Sequence, residues 1–244
     1  MDGKATIKQP VEAIILAGGM GTRLRSVVSD VPKCMAPVAG KPFLYYLLAT
    51  LEKAGFSHII LSLGYKHEAI EEWLDTLSFS MRISFVIEKE PLKTGGAVRH
   101  ALPQVEEPDV FILNGDTFLE VDYAGMLDLH QQTKATATLA LKRMEKFSRY
   151  GIVEVDDISR RIIRFLEKQY CESGLINGGT YLIKKEALDL FPEKFSLEKA
   201  FFEVKVSDGV LSGFLSDGYF IDIGIPEDYA RAQKDFRDGK YKTV

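Results

Sequence analysis

Sulfur and imidazole are scarce in this chain. Its 244 residues include two cysteines, Cys34 and Cys171, too few for a disulfide framework. The four histidines, His58, His67, His100 and His130, show no metal-ligand spacing. A catalytic thiol at Cys34 would need a histidine and an electropositive niche beside it, so that reading is set aside. Excess positive charge is also missing. The formal net charge is −4 and no dense basic run stands out, which removes the electrostatic footprint of a nucleic-acid binder. No apolar stretch approaches the roughly 18 residues of a membrane span. The opening "MDGKATIKQP" lacks the apolar core of a secretory signal. A cytoplasmic protein with neither a membrane nor a nucleic-acid partner is expected. Linkers, repeats and low-complexity tracts are absent too, so nothing marks a domain boundary.

What remains is an ordinary globular composition, 46% apolar, on a chain long enough for one large α/β domain. Strand-like and helix-like segments alternate. "VEAIILA", "HIILSL", "ISFVIE" and "DVFILNGD" read as strands; "PFLYYLLATLEKAG", "HEAIEEWLDTL" and "GGAVRHAL" read as the helices between them. That alternation predicts a mostly parallel sheet covered on both faces. Further on, "ATATLALKRM", "YGIVEVD", "RIIRFLEK" and "GGTYLIK" are strands with few helices between them, and predict an antiparallel extension or smaller lobe. "SLEKAFFEVKV" looks helical, "GVLSGFL" and "GYFIDIG" return as strands, and "PEDYARAQKDF" predicts a closing helix with Pro226 at its first position. The expectation is one domain over 1–244 in two lobes, at about 10–118 and about 119–244. No signal points to a particular oligomeric state.

The first strand runs into "LAGGMGTRLRSVVSDVPK". A P-loop requires Lys-Ser/Thr after its last glycine, and Thr22-Arg23 stands there instead. The Rossmann fingerprint requires a third glycine where Leu24 stands. The physical logic of both survives: glycine lets backbone N–H groups approach an anion, with Arg23, Arg25 and Lys33 supplying charge. A tight strand-to-helix turn with solvated cations accounts for the loop equally well.

Taken together, "LAGGMGTRLRSVVSDVPKCMAPVAGKP" resembles the signature of the sugar-1-phosphate nucleotidyltransferases, G-G-x-G-T-R-L followed by P-K-x-M-x-P-V and K-P. "EKEPLKTGGAV", "LNGDTF", "YGIVEVD", "FLEK", "LINGGTYLI" and "FIDIGIPEDY" are similar to later segments of that family in the same order, so the likeness covers nearly the whole chain. Their wording is most similar to the subgroup of D-glycero-α-D-manno-heptose 1-phosphate guanylyltransferases. One departure is Lys93, where the family usually has a glycine whose backbone N–H faces the base.

The resemblance implies a Rossmann-like mixed α/β fold with a smaller antiparallel sugar-binding lobe. It implies attack by a sugar 1-phosphate oxygen on the α-phosphorus of a nucleoside triphosphate, with Mg2+ as cofactor and release of pyrophosphate. It assigns Leu16, Ala17, Gly18, Gly19, Gly21, Thr22, Arg23, Lys33, Glu88, Lys93, Thr94, Asn114 and Gly115 to the nucleotide, with Arg23, Lys33 and Asp116 in catalysis. Asp116 and Asp222 are the implied metal ligands. Lys168 is the implied partner of the acceptor's phosphate. Tyr150, Gly151, Glu167, Asn177 and Gly178 are implied contacts of the sugar. Each has a plainer alternative on its own: the aspartates as turn or cap residues, Lys168 as an exposed strand-end cation, the Asn177 segment as a bulge, Tyr150 as packing.

Glu88 falls where the family reads the base edge. An ionised carboxylate only accepts hydrogen bonds. Guanine offers two adjacent donors, whereas uracil and thymine offer one N–H between carbonyls, so GTP is the expected donor. The nearest alternative is a mannose or other hexose 1-phosphate nucleotidyltransferase using GTP, UTP or dTTP. A different class, an inactive subunit that senses nucleotide sugars, could lose Arg23, Lys33, Asp116 or Asp222 without losing the fold; all four are present.

Overall fold

The computed structural model describes residues 11–19, 24, 28, 31–166 and 168–240. The expected residues Gly21, Thr22, Arg23 and Glu167, and with them Arg25, lie outside the described residues. In chain order the described elements begin with β1 (Glu12–Leu16), the two-residue strands β2 (Pro37–Val38) and β3 (Lys41–Pro42), α1 (Phe43–Lys53), β4 (His58–Leu63) and α2 (His67–Leu74). Next come β5 (Arg82–Ile87), α3 (Lys93–Ala101), β6 (Asp109–Asn114), β7 (Thr117–Leu119) and α4 (Tyr123–Thr133). The second half contains β8 (Ala137–Phe147), β9 (Ile152–Val155), β10 (Ile162–Leu166) and β11 (Cys171–Lys184). A π-helical turn at Leu197–Phe202 runs into α5 (Glu203–Lys205), and β12 (Leu211–Ser216), β13 (Phe220–Asp222) and α6 (Pro226–Arg237) follow.

Nine strands make one mixed sheet in the order β10-β9-β11-β6-β1-β4-β5, with β8 on β11 and β12 on β8. β6, β1, β4 and β5 are mutually parallel. The expected parallel sheet is therefore present, and β11 attaches the antiparallel part directly to β6. Neighbouring β1 residues face opposite sides, as the pleat demands. Ala13 and Ile15 enter a core with α1, α4 and α6, whereas Ile14 enters a second core with Val98 and Ala101 of α3 and with Phe201 and Phe202. Burial on both faces explains why these strands are continuously apolar.

β11 is 14 residues long and changes register between Asn177 and Tyr181, where Gly179 has φ +75°. A bulge of this kind kinks the strand. It lets one strand follow β8 along one side while its other side passes from β9 to β6. Three readings need amendment. The helix expected over "SLEKAFFEVKV" is a π-helical turn followed by a single α-helical turn. α3 starts at Lys93, before the predicted "GGAVRHAL". α4, capped by the Asp122 carboxylate accepting from the Gly125 N–H at 3.0 Å, precedes "ATATLALKRM" and is absent from the expected elements.

Candidate active site

The C-terminal ends of parallel strands are where open α/β sheets expose groups to ligands. Here they form a cavity of about 330 Å³ lined by Leu16, Ala17, Gly18, Gly19, Lys33, Glu88, Lys93, Thr94, Asn114, Gly115 and Asp116, among others. Every described residue expected at the nucleotide is thus on one wall or another of a single cavity. Two glycines have a visible steric reason. A Cβ on Gly18 would lie 2.7 Å from Glu88 Oε1, and one on Gly115 2.6 Å from the Leu16 carbonyl oxygen.

Glu88 is held by its neighbours. Ser62 Oγ donates to Oε1 at 3.2 Å and the Leu92 N–H donates to Oε2 at 3.0 Å. A carboxylate has about four acceptor sites, so each oxygen keeps one for a ligand. Lys93 adopts φ +63° at the start of α3. This left-handed geometry costs an L-residue roughly 1–2 kcal/mol. A glycine at this position would adopt the same φ without that cost.

A second cavity of about 500 Å³ adjoins the first and shares Asn114 with it. Thr117, Arg149, Tyr150, Lys168, Asn177, Gly179, Tyr181, Glu198, Phe220, Asp222 and Ile225 complete its wall. Tyr150, Lys168 and Asn177 stand there as expected. Gly178 and Gly151 do not line it. A Cβ on Gly178 would meet Leu119 at 2.4 Å, and one on Gly151 the Leu166 carbonyl oxygen at 2.8 Å; at both positions the missing side chain is explained by packing. Asn177 Nδ2 donates to the buried Tyr181 hydroxyl at 3.1 Å, and Asn177 Oδ1 accepts from the Gly179 N–H at 2.9 Å. Arg149, Thr117, Tyr181, Glu198 and Ser62 were missed in the sequence. Arg149, Thr117 and Tyr181 each had a signal, lying beside Tyr150, beside Asp116 and within "LINGGTYLI"; Glu198 and Ser62 had none.

The seam between the cavities is built by β7 and β13. They pair antiparallel with Asp222 opposite Thr117, and the Ile223 N–H donates to the Asp116 carbonyl at 3.0 Å. This short ladder brings together two aspartates far apart in the chain. Lys33 follows Pro32 in a 3-10 turn whose Cys34 and Met35 are buried. Its ammonium donates to Asp116 Oδ2 and lies 4.0 Å from Asp222 Oδ1. Burial, and then the neighbouring Asp116 carboxylate, push the Asp222 carboxyl above the usual carboxylate range; Lys33 opposes this. Arg149 NH2 is 3.9 Å from Asp222 Oδ2, while its NH1 donates to Asp228 at 2.5 Å.

Two carboxylates around one ammonium make a donor set suited to a hard divalent cation, with the lysine standing where positive charge is wanted. No group of three or more His, Cys, Asp or Glu residues that could hold a metal occurs among the described residues. Magnesium fits that arrangement, because it takes one or two carboxylates and completes its shell with water and phosphate oxygens. Cys34 is no nucleophile: burial pushes its thiol up to about 12. No helix among the described residues is long and apolar enough to cross a membrane.

Residues 12–239 match the sequence profile of a family described as nucleotidyl transferase. Over 229 residues the chain is 48% identical to the D-glycero-alpha-D-manno-heptose 1-phosphate guanylyltransferase of Aneurinibacillus thermoaerophilus, covering 93% of this chain and 99% of that protein. The protein of the same name from Campylobacter jejuni is 42% identical over 221 residues, covering 90% and 97%. Among solved structures, HddC from Yersinia pseudotuberculosis complexed with GMP-PN superposes with a TM-score of 0.83 at 38% identity, covering 93% of this chain and 99% of that one.

Proposed function

The chain belongs to the nucleotidyl transferase family, and on that premise we propose that it joins GTP to D-glycero-α-D-manno-heptose 1-phosphate, releasing pyrophosphate. The observation that carries this reading is the meeting of two cavities at Lys33, Asp116 and Asp222. A triphosphate in the first and a sugar 1-phosphate in the second place the α-phosphorus and the attacking oxygen on either side of that seam. Both reactants are anions, so alignment and charge neutralisation are the main tasks. Magnesium, when bound by Asp116 and Asp222, supplies a Lewis-acidic charge at the phosphate oxygens.

The chain's own groups do the rest. Backbone N–H groups of the loop through Gly18, Gly19, Gly21 and Thr22 cradle the phosphates. Arg23 and Lys33 neutralise the departing pyrophosphate, Lys33 leaving its apo position on Asp116 to do so. Glu88 accepts the two adjacent guanine donors with the acceptor sites that Ser62 and Leu92 leave open. The Lys93–Thr94 turn, Asn114 and Gly115 hold the base and ribose. Lys168 pairs with the acceptor phosphate. Tyr150, Glu167 and Asn177 line the sugar, with Gly151 and Gly178 shaping the backbone around it. The heptose is taken from the relatives that match end to end.

The test is a matrix of nucleoside triphosphates against sugar 1-phosphates, scored by pyrophosphate release with magnesium present. GTP with the manno-heptose 1-phosphate should give the highest kcat/KM. Preference for UTP or dTTP would overturn the base assignment, preference for a hexose 1-phosphate the sugar, and no release with any pair the reaction itself.

A further inference from the structure

A side-chain hydrogen bond between distant parts of the chain links the walls of the two cavities. Thr94 lines the nucleotide cavity and Glu198 the other. Thr94 Oγ1 donates to Glu198 Oε2 at 2.7 Å across 104 residues of sequence. The same Oε2 accepts from Ser196 Oγ at 2.7 Å, and Thr94 Oγ1 accepts from the Leu197 N–H at 2.9 Å. Oε1 of Glu198 makes no hydrogen bond within the described residues, leaving one carboxylate oxygen for whatever enters the second cavity.

The backbone around this bond is tightly keyed. The residue before α3, Leu92, gives no side-chain cap. The N–H groups of Gly95 and Gly96 instead donate to the Phe195 carbonyl at 3.0 and 3.2 Å. A Cβ on Gly95 would lie 2.3 Å from the Phe195 ring, and one on Gly96 2.2 Å from the Glu193 carbonyl oxygen. Helix and segment are therefore in backbone contact and cannot shift independently. Glu198 sits in the π-helical turn, a conformation that is rare and concentrated at functional sites. Its flanking residues Leu197 and Phe201 are fully buried and fix where the turn can go.

We propose that Glu198 is a positioning residue that couples the two substrates. Its free oxygen accepts a hydroxyl of the acceptor sugar, and its bonded oxygen sets Thr94 and the first turn of α3 against the nucleotide. Each substrate then tightens the other's binding by the same factor, as linkage requires. The inference rests on the reading that a sugar 1-phosphate occupies the second cavity.

Coupling is measured by calorimetry with α,β-methylene GTP, which binds but cannot transfer. Its Kd is determined with and without saturating sugar 1-phosphate, using the acceptor that the parent turns over best. The parent should bind the analogue about 5- to 50-fold more tightly when the acceptor is present. Thr94→Val, which keeps shape but removes the hydroxyl, and Glu198→Ala should each reduce that factor below about 2-fold. Thr94→Ser should restore it, and Glu198→Gln should restore it in part. A merely structural role would weaken both Kd values alike and leave their ratio intact. Parent-sized coupling in Thr94→Val overturns the proposal even if Glu198→Ala does not fold. So does a parent that releases pyrophosphate but shows no coupling. A parent that turns over no pair at all removes the underlying reading instead, and this inference with it.

Discussion

At the N-terminal ends of the parallel strands a buried carboxylate has its partners in full; at their C-terminal ends two carboxylates share Lys33, with Arg149, already bonded to Asp228, 3.9 Å from one of them. Glu12, at the start of β1, is 3% exposed. It accepts from the Glu106 and Glu107 N–H groups at 2.7 Å each and meets His58 Nδ1 at 2.8 Å. His58 Nε2 in turn meets Ser84 Oγ at 2.7 Å. Burial pushes the Glu12 carboxyl up, but the donors outweigh it and hold the group below the usual range. Asp222 moves the other way, because burial and Asp116 act together on it. The first arrangement is closed and serves the fold. The second is left short of positive charge, which is a cost in the empty protein and an attraction for a cation and its phosphates. Glu88 stands between the two, with part of its acceptor capacity used by the protein and part kept.

The largest effect expected from this contrast is catalytic. Asp116→Asn should lower kcat on the order of 10²–10³, by analogy with removing one preorganised group facing developing charge. Its melting temperature should change little, since the like charge beside Asp222 goes together with the ion pair to Lys33. A variant that titrates with magnesium and turns over as the parent does would take Asp116 out of the site. Glu88→Gln comes next. A good bidentate base contact is worth roughly 1–3 kcal/mol, about 5- to 150-fold, so the variant should lose GTP preference toward UTP or dTTP by that order. The readout is kcat/KM for each triphosphate with one acceptor; an unchanged preference refutes base reading by Glu88.

At the other end of the sheet the signature should reverse. Glu12→Gln leaves buried donors poorly matched, at a cost of about 1–3 kcal/mol, or roughly 2–4 °C of Tm per kcal/mol in a chain of this size. The kcat of the folded fraction should not change. Because the folded-state carboxyl is depressed, its contribution is present above the unfolded pKa and is lost as pH falls through the folded one. Parent and variant stability curves should therefore converge below about pH 4. A constant gap down to strongly acid pH would contradict the assignment. The smallest effect concerns Lys93. Removing its left-handed strain by Lys93→Gly should offset the added unfolded-state entropy and change stability by less than about 1 kcal/mol, upward. The same exchange at exposed Lys234 within α6 should cost about 1 kcal/mol. Equal losses at the two lysines would mean that the φ of Lys93 carries no strain.

Much of this was legible from residue patterns. β1, β4 and β6 are apolar on both faces and end at polar loops, so strand and ligand end were apparent together. Asp116 and Asp222 could be placed at strand ends for the same reason. What joins them could not. β13 falls within the expected strand "GYFIDIG", but its partner β7, about a hundred residues earlier, has three residues, too few for alternation to register. The first half of β11, "CESGLIN", is largely exposed or half-buried, so its apolar pattern is weak. α4 carries an Asp122 cap but little amphipathic contrast. Glu198 falls within "SLEKAFFEVKV", which reads only as a helix, and nothing local to it points to Thr94, 104 residues away. Gly151 and Gly178 were assigned to the sugar because of motif position, whereas contacts that no local window contains account for both.

The register change in β11 has a consequence for building chimeras. β8 pairs with both halves of β11; on its other side the strand has β9 before the register change and β6 after it. A one-residue slip turns every side chain of a strand to the opposite face, so an exchange cut inside either half would scramble a core. A cut at Asn177–Gly179, where the ladder is already interrupted, leaves both registers intact. Transplanting the stretch from β9 to that point should therefore exchange Lys168 and Asn177 of the second cavity together while the β6-paired end of the strand stays as it was.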